Sequence, residues 1–595
     1  MGEPGWEVVE PPADADALVA ASPLLAGLEP AEGAAVGGLV TWIRLPGGTD
    51  LFIEGEVADA AYVLVRGRVD VHVDGALLAQ RGPGDVIGEA GLLGSGVRSA
   101  TVTAVRDSVL VRLEPEQFDD LATRHPGAAR HLAAVVAERL AVRPGAPRGL
   151  RAPRVVALSA PDGGVDLAEL AERIARSVRG RQVALVGAEE SEGWEPPERA
   201  AHLARLEDRS DLVLLLDTCP AGDDTAPARS WLLRQADLVL AAVPAGRPAP
   251  RTLGLAEQCP RPVEVVVVRS GIGRADGGRW CSGRATSART THLRWDHPES
   301  WDRLGRRLTG QAVGLVLGGG GARGFAHVGV VRALREVGIP IDRVGGSSMG
   351  AIVGAQVAMG LSSDELLDVN RQWSRRILAE PAVPTVSLAR GERAARLIQS
   401  FFGGRQIEDL ELEFFCTTAD LTTYRLHVAD RGPVGDWVSA SAAVPGLWPP
   451  FVDAEGHLHA DGGVLDNVPT AVMRSRSVGR VVAVDVCARQ AAMRVEPVLP
   501  ASSPAPLRVP LRQVAGRRRR ADREPGLLDL MNRANLLASL QAWERARDHA
   551  DIYLTPDTAP HGFGSFDRVA ELAELGYRSA VEQLDAMGAG PSTQA

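Results

Sequence analysis

The sequence predicts an α/β protein of 595 residues whose α/β part is preceded by a β-rich unit. Three observations predict it. Short, glycine-punctuated strands run from about Ser22 and give way to a helical pattern that ends near Leu140. Apolar runs of strand length then alternate with helical stretches between Val155 and Val268. From Ala312 an apolar strand passes into a glycine run and a helix, and α/β alternation continues to about Val486. A chain of this length exceeds one hydrophobic core, so several domains are expected.

In the first unit, Tyr62 to Val73 alternates apolar and polar residues around Gly67 and reads as a hairpin. Pro115 to Leu140 carries apolar residues at three- and four-residue steps and reads as a helix. A Pro-, Gly- and Arg-rich linker follows, Arg143 to Arg154. The second unit is predicted as a parallel sheet from Val155–Leu158, Val183–Val186, Leu212–Leu216, Leu238–Val243 and Val263–Val268, with a helix at Leu167–Val178. The polar, arginine-rich stretch Gly271 to Arg294 is expected to loop out. In the third unit a Pro/Ser-rich stretch, Val498–Pro510, and the cluster Arg517–Arg520 lead to helices around Leu527–Ala546 and Val569–Leu584. The expected boundaries are a tail at 1–20, units at 21–142, 154–308 and 312–490, a linker at 143–153, a Pro/Arg-rich loop at 491–525 and a helical region at 526–595 completing the third unit.

Composition narrows the chemistry. The formal net charge of −10 argues against nucleic acid as a partner, which calls for a basic face. The sequence holds no lysine, so all 65 basic residues are arginine. That excludes a Ser–Lys dyad, Schiff-base chemistry and a phosphate loop that depends on its lysine. The five cysteines are irregularly spaced without CxxC, which indicates neither a disulfide framework nor a structural zinc and suits a reducing compartment. The N-terminal segment MGEPGWEVVEPPADAD lacks the charge and apolar run of a signal peptide, and Trp6 stands where a myristoylation signal needs Ser or Thr. A cytoplasmic protein is expected, with any membrane contact peripheral; oligomeric state is not legible.

The chemistry concentrates in three motifs of the third unit. Gly318-Gly319-Gly320-Gly321-Ala322-Arg323-Gly324 lies between a buried strand and a helix, where glycines aim main-chain N–H groups at negative charge. Gly319, Gly321 and Gly324 also satisfy the dinucleotide pattern, but its ribose-binding acid should close the next strand, and Asp342 precedes that strand. Instead Gly346-Ser347-Ser348-Met349-Gly350 closes it, a G-x-S-x-G turn that presents a serine oxygen. The amide of Met349 and amides of the glycine loop are placed to hold a tetrahedral oxyanion. Asp461, in Asp461-Gly462-Gly463, is the candidate base for Ser348; the plain alternative is a turn aspartate capping a helix. A Ser–Asp–His triad would draw on His549 or His561.

Glycine loop with arginine, G-x-S-x-G and D-G-G, in that order, resemble the patatin-like phospholipases. The stretches LVLGGGGARGFAHVGVVRALREVGIPIDRVGGSSMGAIVGA, RQIEDLELEFFCTTADLT and HADGGVLDNVP are similar to the neuropathy target esterase branch. The resemblance spans about residues 310–580 and implies a three-layer α/β/α hydrolase domain acting on lysophospholipid or phospholipid without metal or catalytic cofactor. It further implies Ser348 as nucleophile, Asp461 as base, Gly319 to Gly321 as oxyanion-hole glycines and Arg323 as a brace of that loop.

A second constellation lies in the first unit: Gly88-Glu89-Ala90-Gly91-Leu92-Leu93, then Arg98-Ser99-Ala100-Thr101-Val102. It offers a carboxylate for a sugar hydroxyl and an arginine fork for a phosphate. It resembles the phosphate-binding cassette of cyclic-nucleotide-binding domains such as the catabolite activator protein and protein kinase A regulatory subunits. The resemblance implies a β-jelly-roll, a ribose contact at Glu89, and cyclic-phosphate contacts at Arg98 and Ser99, with cAMP or cGMP as effector; a decayed module kept for packing is the alternative.

The middle unit carries Ser159-Ala160-Pro161-Asp162-Gly163-Gly164 where a nucleotide loop would follow the first strand, but without lysine it reads as a structural, degenerate nucleotide-fold-like domain. Arg517–Arg520 suits either anionic headgroups or a solvated loop, and Trp448 and Phe451 are expected to pack.

Overall fold

The computed structural model describes residues 5–11, 40–89, 96–117, 123, 152–187, 196–219, 227–247, 249–259, 262–269, 289–376, 387–476, 479–487 and 540–588. Most of the expected helix Pro115–Leu140, Ala90–Leu93, nearly all of the first linker, the loop 491–525 with Arg517–Arg520, and Leu527–Ser539 lie outside them. The chain divides into two compact units, Met1–Ala312 with Arg474–Gly479, and Val313–Met473 with Arg480–Ala595.

The first unit opens with a jelly-roll of two sheets. One is ordered Glu7–Val8, Thr41–Leu45, Ser108–Leu113, Ala61–Arg66, Val86–Ile87; the other is Asp50–Phe52, Thr101–Ala104, Val69–Val73, Ala76–Arg81. Ile43, Leu45, Leu64, Val69, Val102 and Leu110 fill the space between them. The expected hairpin of Tyr62 to Val73 is corrected: Ala61–Arg66 and Val69–Val73 belong to opposite sheets. Gly67 turns the corner at φ 102°, and a side chain there would collide with Ser108, so the chain crosses the core instead of folding back.

A six-stranded, all-parallel sheet follows, ordered Val183–Gly187, Leu212–Leu216, Val155–Ser159, Leu238–Pro244, Val263–Arg269, Arg289–Arg294. Alternate residues face opposite layers: Val155, Ala157, Val213 and Leu215 pack on one side, Val156, Leu158, Leu212 and Leu214 on the other. Arg289–Arg294 was expected to loop out; it is the sixth, edge strand, and its polar sequence hides it because only His292 and Leu293 are buried.

The jelly-roll meets this sheet through a buried charge cluster. Arg106, in the turn after Thr101–Ala104, grips Glu207 bidentately at 2.8 and 2.9 Å and pairs with Asp237 at 2.8 Å. Arg68 pairs with the same Asp237 oxygen at 3.5 Å, and the other oxygen accepts the amides of Arg154 and Val155. Removing one partner from such a cluster strands a buried charge, which is what makes it a specific joint.

The second unit is built on an eight-stranded mixed sheet: β1 Val313–Leu317, β2 Arg343–Gly346, β3 Glu413–Asp420, β4 Arg425–Ala429, β5 Phe451–Val452, β6 Leu458–Asp461, β7 Arg480–Val484 and β8 Ile552–Leu554. The order is β5-β6-β3-β2-β1-β7-β8, with β4 on β3. Leu315, Leu317, Val344, Phe414 and Val484 face one helical layer with Val330, Ile352 and Leu572. Val316, Phe415, Val481 and Ala483 face the other, with Met473 and Ala546. The three layers are those the sequence implies. Register then sets the site: Leu317 pairs with Gly346, Gly346 with Cys416, and Thr418 with Asp461, so the ends of β1, β2 and β6 converge.

Candidate active site

Ser348 sits between β2 and helix Met349–Ala358 at φ 55° and ψ −125°, one of three described non-glycine residues with positive φ. Such a conformation costs about 1–3 kcal/mol and persists only where the surroundings over-determine it. They do so here. The Ser347 amide donates to Leu317 O at 3.2 Å, the Gly350 amide to Ser347 O at 2.9 Å, and the Ser348 amide to the Ser441 hydroxyl at 3.0 Å. Gly346 and Gly350 allow the sharp turn: a side chain at 350 would strike the Leu317 carbonyl.

Asp461 ends β6, is 6% exposed, accepts the Gly463 amide at 2.8 Å, and has the Ser348 side chain beside it. Burial raises its pKa to about 6 against the opposing pull of the Ser348 side chain and the Gly463 amide. The D-G-G pattern is explained by the same geometry: Gly463 supplies the amide, and Gly462 packs against the Thr417 carbonyl. Ser348 and Asp461 line one cleft with Gly319, Gly320, Gly463 and Asn467.

The glycine loop follows β1 as expected. Among the described residues, the amides of Gly320 and Met349 donate to no protein acceptor. The Gly319 amide differs from the expectation, because it donates to Asn467 O at 3.3 Å. Gly321 takes φ 57°, and the next amide, Ala322, donates to Phe563 O. Arg323 Nε donates to His561 O at 2.8 Å, and Gly324 packs on Met349. Asp342 is turned away to accept the Val313 amide, so it closes no ribose site.

Among the described residues, none that line the cleft is a histidine. His327 is fully buried and bonded to Gly318 O at 2.7 Å; burial lowers its pKa to about 4, so it is neutral and its Nε2–H donates. His459 lies between Thr418 and Asp453, His549 on Arg545 O, and His561 beside Glu571. Trp448 packs against the main core and Phe451 near Trp437, as expected. Sequence reasoning missed Asn467, Ser441, Cys487, Val444 and Phe563. Asn467 alone had a legible signal, the tail of HADGGVLDNVP.

In the jelly-roll, Arg98 is 2% exposed, with its guanidinium 4.0 Å from the centre of the Phe52 ring. It donates to Asp59 at 2.8 Å, Ala60 O at 2.8 Å and Gly88 O at 3.3 Å. Glu89 is buried and Ser99 exposed. Burial works to raise the Asp59 pKa, yet the hydrogen bond from Arg112 and the charges of Arg112 and Arg98 hold it below the usual value. In the middle sheet, Asp166 caps helix Leu167–Ser177 through the amides of Ala168 and Glu169. An internal carboxylate thus occupies the helix end where a phosphate would bind.

Comparison with known proteins follows the same division. Residues 315–474 match the patatin-like phospholipase family model and residues 42–125 that of the cyclic nucleotide-binding domain. The chain is therefore a lipid ester hydrolase with an N-terminal cyclic nucleotide-binding domain. An uncharacterized NTE family protein of Mycobacterium bovis is 32% identical over 560 residues, covering 91% of this chain and 92% of its own. This chain belongs to the NTE family. Lysophospholipase NTE1 of Phaeosphaeria nodorum is 26% identical over 93% of this chain and 43% of its own. Patatin-like phospholipase domain-containing protein 6 of Mus musculus is 29% identical over 75% of this chain and 38% of its own. No described helix is long and apolar enough to cross a membrane.

Proposed function

We propose that the protein cleaves the acyl ester of a lysophospholipid, or of a phospholipid, through a Ser348–Asp461 dyad, and that a cyclic nucleotide bound at Gly88, Glu89, Arg98 and Ser99 regulates it. The observation that carries the reading is the strained Ser348 sharing one cleft with a buried carboxylate, Asp461, on whose pKa its side chain acts. Ser348 Oγ attacks the ester carbonyl as its proton passes to Asp461, and the carbonyl oxygen becomes an oxyanion held by the amides of Gly320 and Met349. The intermediate collapses to an acyl-serine, and the leaving alcohol takes the proton from Asp461. Water then hydrolyses the acyl-serine with Asp461 as base. A carboxylate with a pKa of about 6 is a better base than an ordinary aspartate and is still ionised at neutral pH.

The middle domain, 154–308, serves a structural role in this reading, supported by the Asp166 cap over its first helix. The four described cysteines are unpaired, which suits a cytoplasmic enzyme acting at a membrane surface. Labelling by a fluorophosphonate that disappears in Ser348→Ala, with lysophosphatidylcholine hydrolysis that responds to cAMP or cGMP, supports the reading. Undiminished labelling of Ser348→Ala rejects it. Full hydrolysis indifferent to both nucleotides rejects the regulatory half.

A further inference from the structure

We propose that Asn467 is a positioning residue that aims the Gly320 amide at the oxyanion; this deepens, and rests on, the Ser348–Asp461 reading. Asn467 is 4% exposed and lines the cleft on the segment that follows Asp461. It holds Gly319 at both main-chain groups. Its carbonyl accepts the Gly319 amide at 3.3 Å, and its side-chain Nδ2 donates to the Gly319 carbonyl at 3.2 Å. The Cys487 thiol donates to that same carbonyl at 3.4 Å. Burial pushes this thiol up to about 12, so it remains a donor and not a thiolate.

The consequence follows from peptide planarity. The Gly319 carbonyl and the Gly320 N–H share one plane and, in a trans peptide, point in opposite directions. No described peptide is cis. Two donors gripping the carbonyl therefore fix the amide on the opposite side of the plane. The preceding peptide is locked likewise: His327 Nε2 donates to Gly318 O at 2.7 Å, while Asn467 O takes the Gly319 amide. A glycine run has no side chains of its own to set these planes, and unbraced it would sample orientations in which the amide turns away. Asn467 and Asp461 lie on one short segment, so the base and the brace of the oxyanion donor move together.

The test compares Asn467→Ala and the isosteric Asn467→Asp with wild type and Ser348→Ala, using lysophosphatidylcholine as substrate. A long-chain trifluoromethyl ketone, which Ser348 would add to as a tetrahedral adduct, serves as the transition-state probe. Loss of one aligned oxyanion donor lowers kcat by roughly 100-fold. KM should stay within about threefold, because the ground-state ester makes little use of that donor. Affinity for the trifluoromethyl ketone should fall by the same factor as kcat/KM in both variants. Wild-type kcat in either correctly folded variant overturns the role of Asn467. A loss of kcat without parallel loss of ketone affinity also overturns it, because the defect would then be merely structural. Activity retained in Ser348→Ala would sink the underlying reading instead, so the two failures are distinguishable.

Discussion

The amide of Ser348 donates to the hydroxyl of Ser441 at 3.0 Å, and that hydroxyl donates onward to Thr417 O at 2.8 Å. Ser348 is thus tied through one buried side chain to β3, the strand that also pairs with the Asp461 strand. Ser441→Ala leaves a buried amide without its acceptor at a residue already in a strained conformation. A cost of about 1–3 kcal/mol in urea unfolding is expected. The rate of fluorophosphonate labelling should fall as well, and unchanged stability and labelling would show the tie to be dispensable.

Asp461 is expected to trade stability for activity. Its folded pKa, about 6, lies above the ordinary 3.8, so the native state favours the protonated form. The group's stabilising contribution is complete below the unfolded value and is lost as pH rises through the folded one. At pH 8 the native state therefore carries a buried, desolvated carboxylate. Asp461→Asn should abolish turnover while raising the melting temperature at pH 8; a melting temperature below wild type would contradict the burial argument.

The same shift fixes the acid limb of activity. The base must be ionised, so kcat/KM for lysophosphatidylcholine should fall as pH drops through about 6. A profile flat down to pH 4 would mean that Asp461 titrates as an ordinary aspartate or is not the base.

Arg106 predicts the strength of the joint between the jelly-roll and the parallel sheet. Its charge faces Glu207 and Asp237 in a buried setting, and both partners raise its pKa against the opposing effect of burial. Arg106→Ala should destabilise the unit by roughly 3–5 kcal/mol, since it strips Glu207 and Asp237 of their shared buried cation. Replacing Arg106 and Glu207 together by apolar residues should cost less, since Asp237 keeps Arg68 and the two amides. Equal losses would place the effect in packing and not in charge.

Arg98 commits both Nη groups to Asp59, Ala60 O and Gly88 O, while its Nε–H meets no acceptor among the described residues. A cyclic phosphate bound there would compete with Asp59 for the Nη face of Arg98. Asp59→Ala is therefore expected to tighten cAMP or cGMP binding in calorimetry, whereas Arg98→Leu should abolish it. Weaker binding in Asp59→Ala would mean that the aspartate orients the arginine and does not compete with the phosphate.

Much of this was legible in one dimension because it is local. Apolar runs located β1 and five of the six strands of the middle sheet, the four inner ones above all, since a strand buried on both faces must be apolar throughout. The turn carrying Ser348 was equally plain, since its glycines sit where main chain meets main chain within a few residues. The edge strand Arg289–Arg294 was not, because half-exposed polar residues carry no such signature. Nor was the sorting of Ala61–Arg66 and Val69–Val73 into opposite sheets, which depends on where Ser108–Leu113 and Thr101–Ala104 lie to receive them.

The sequence by itself determined the kinds of groups present: a glycine run, a serine on a G-x-S-x-G turn, an aspartate before two glycines, and an arginine shortly after a Gly-Glu pair. Only the tertiary structure decided which of them meet. Pairing of β6 with β3 brings Asp461 into the cleft of Ser348, burial raises the basicity of its carboxylate, and Asn467 reaches back to the Gly319 peptide. Desolvation and hydrogen-bond alignment arise from neighbours distant along the chain, and no short stretch of residues encodes them.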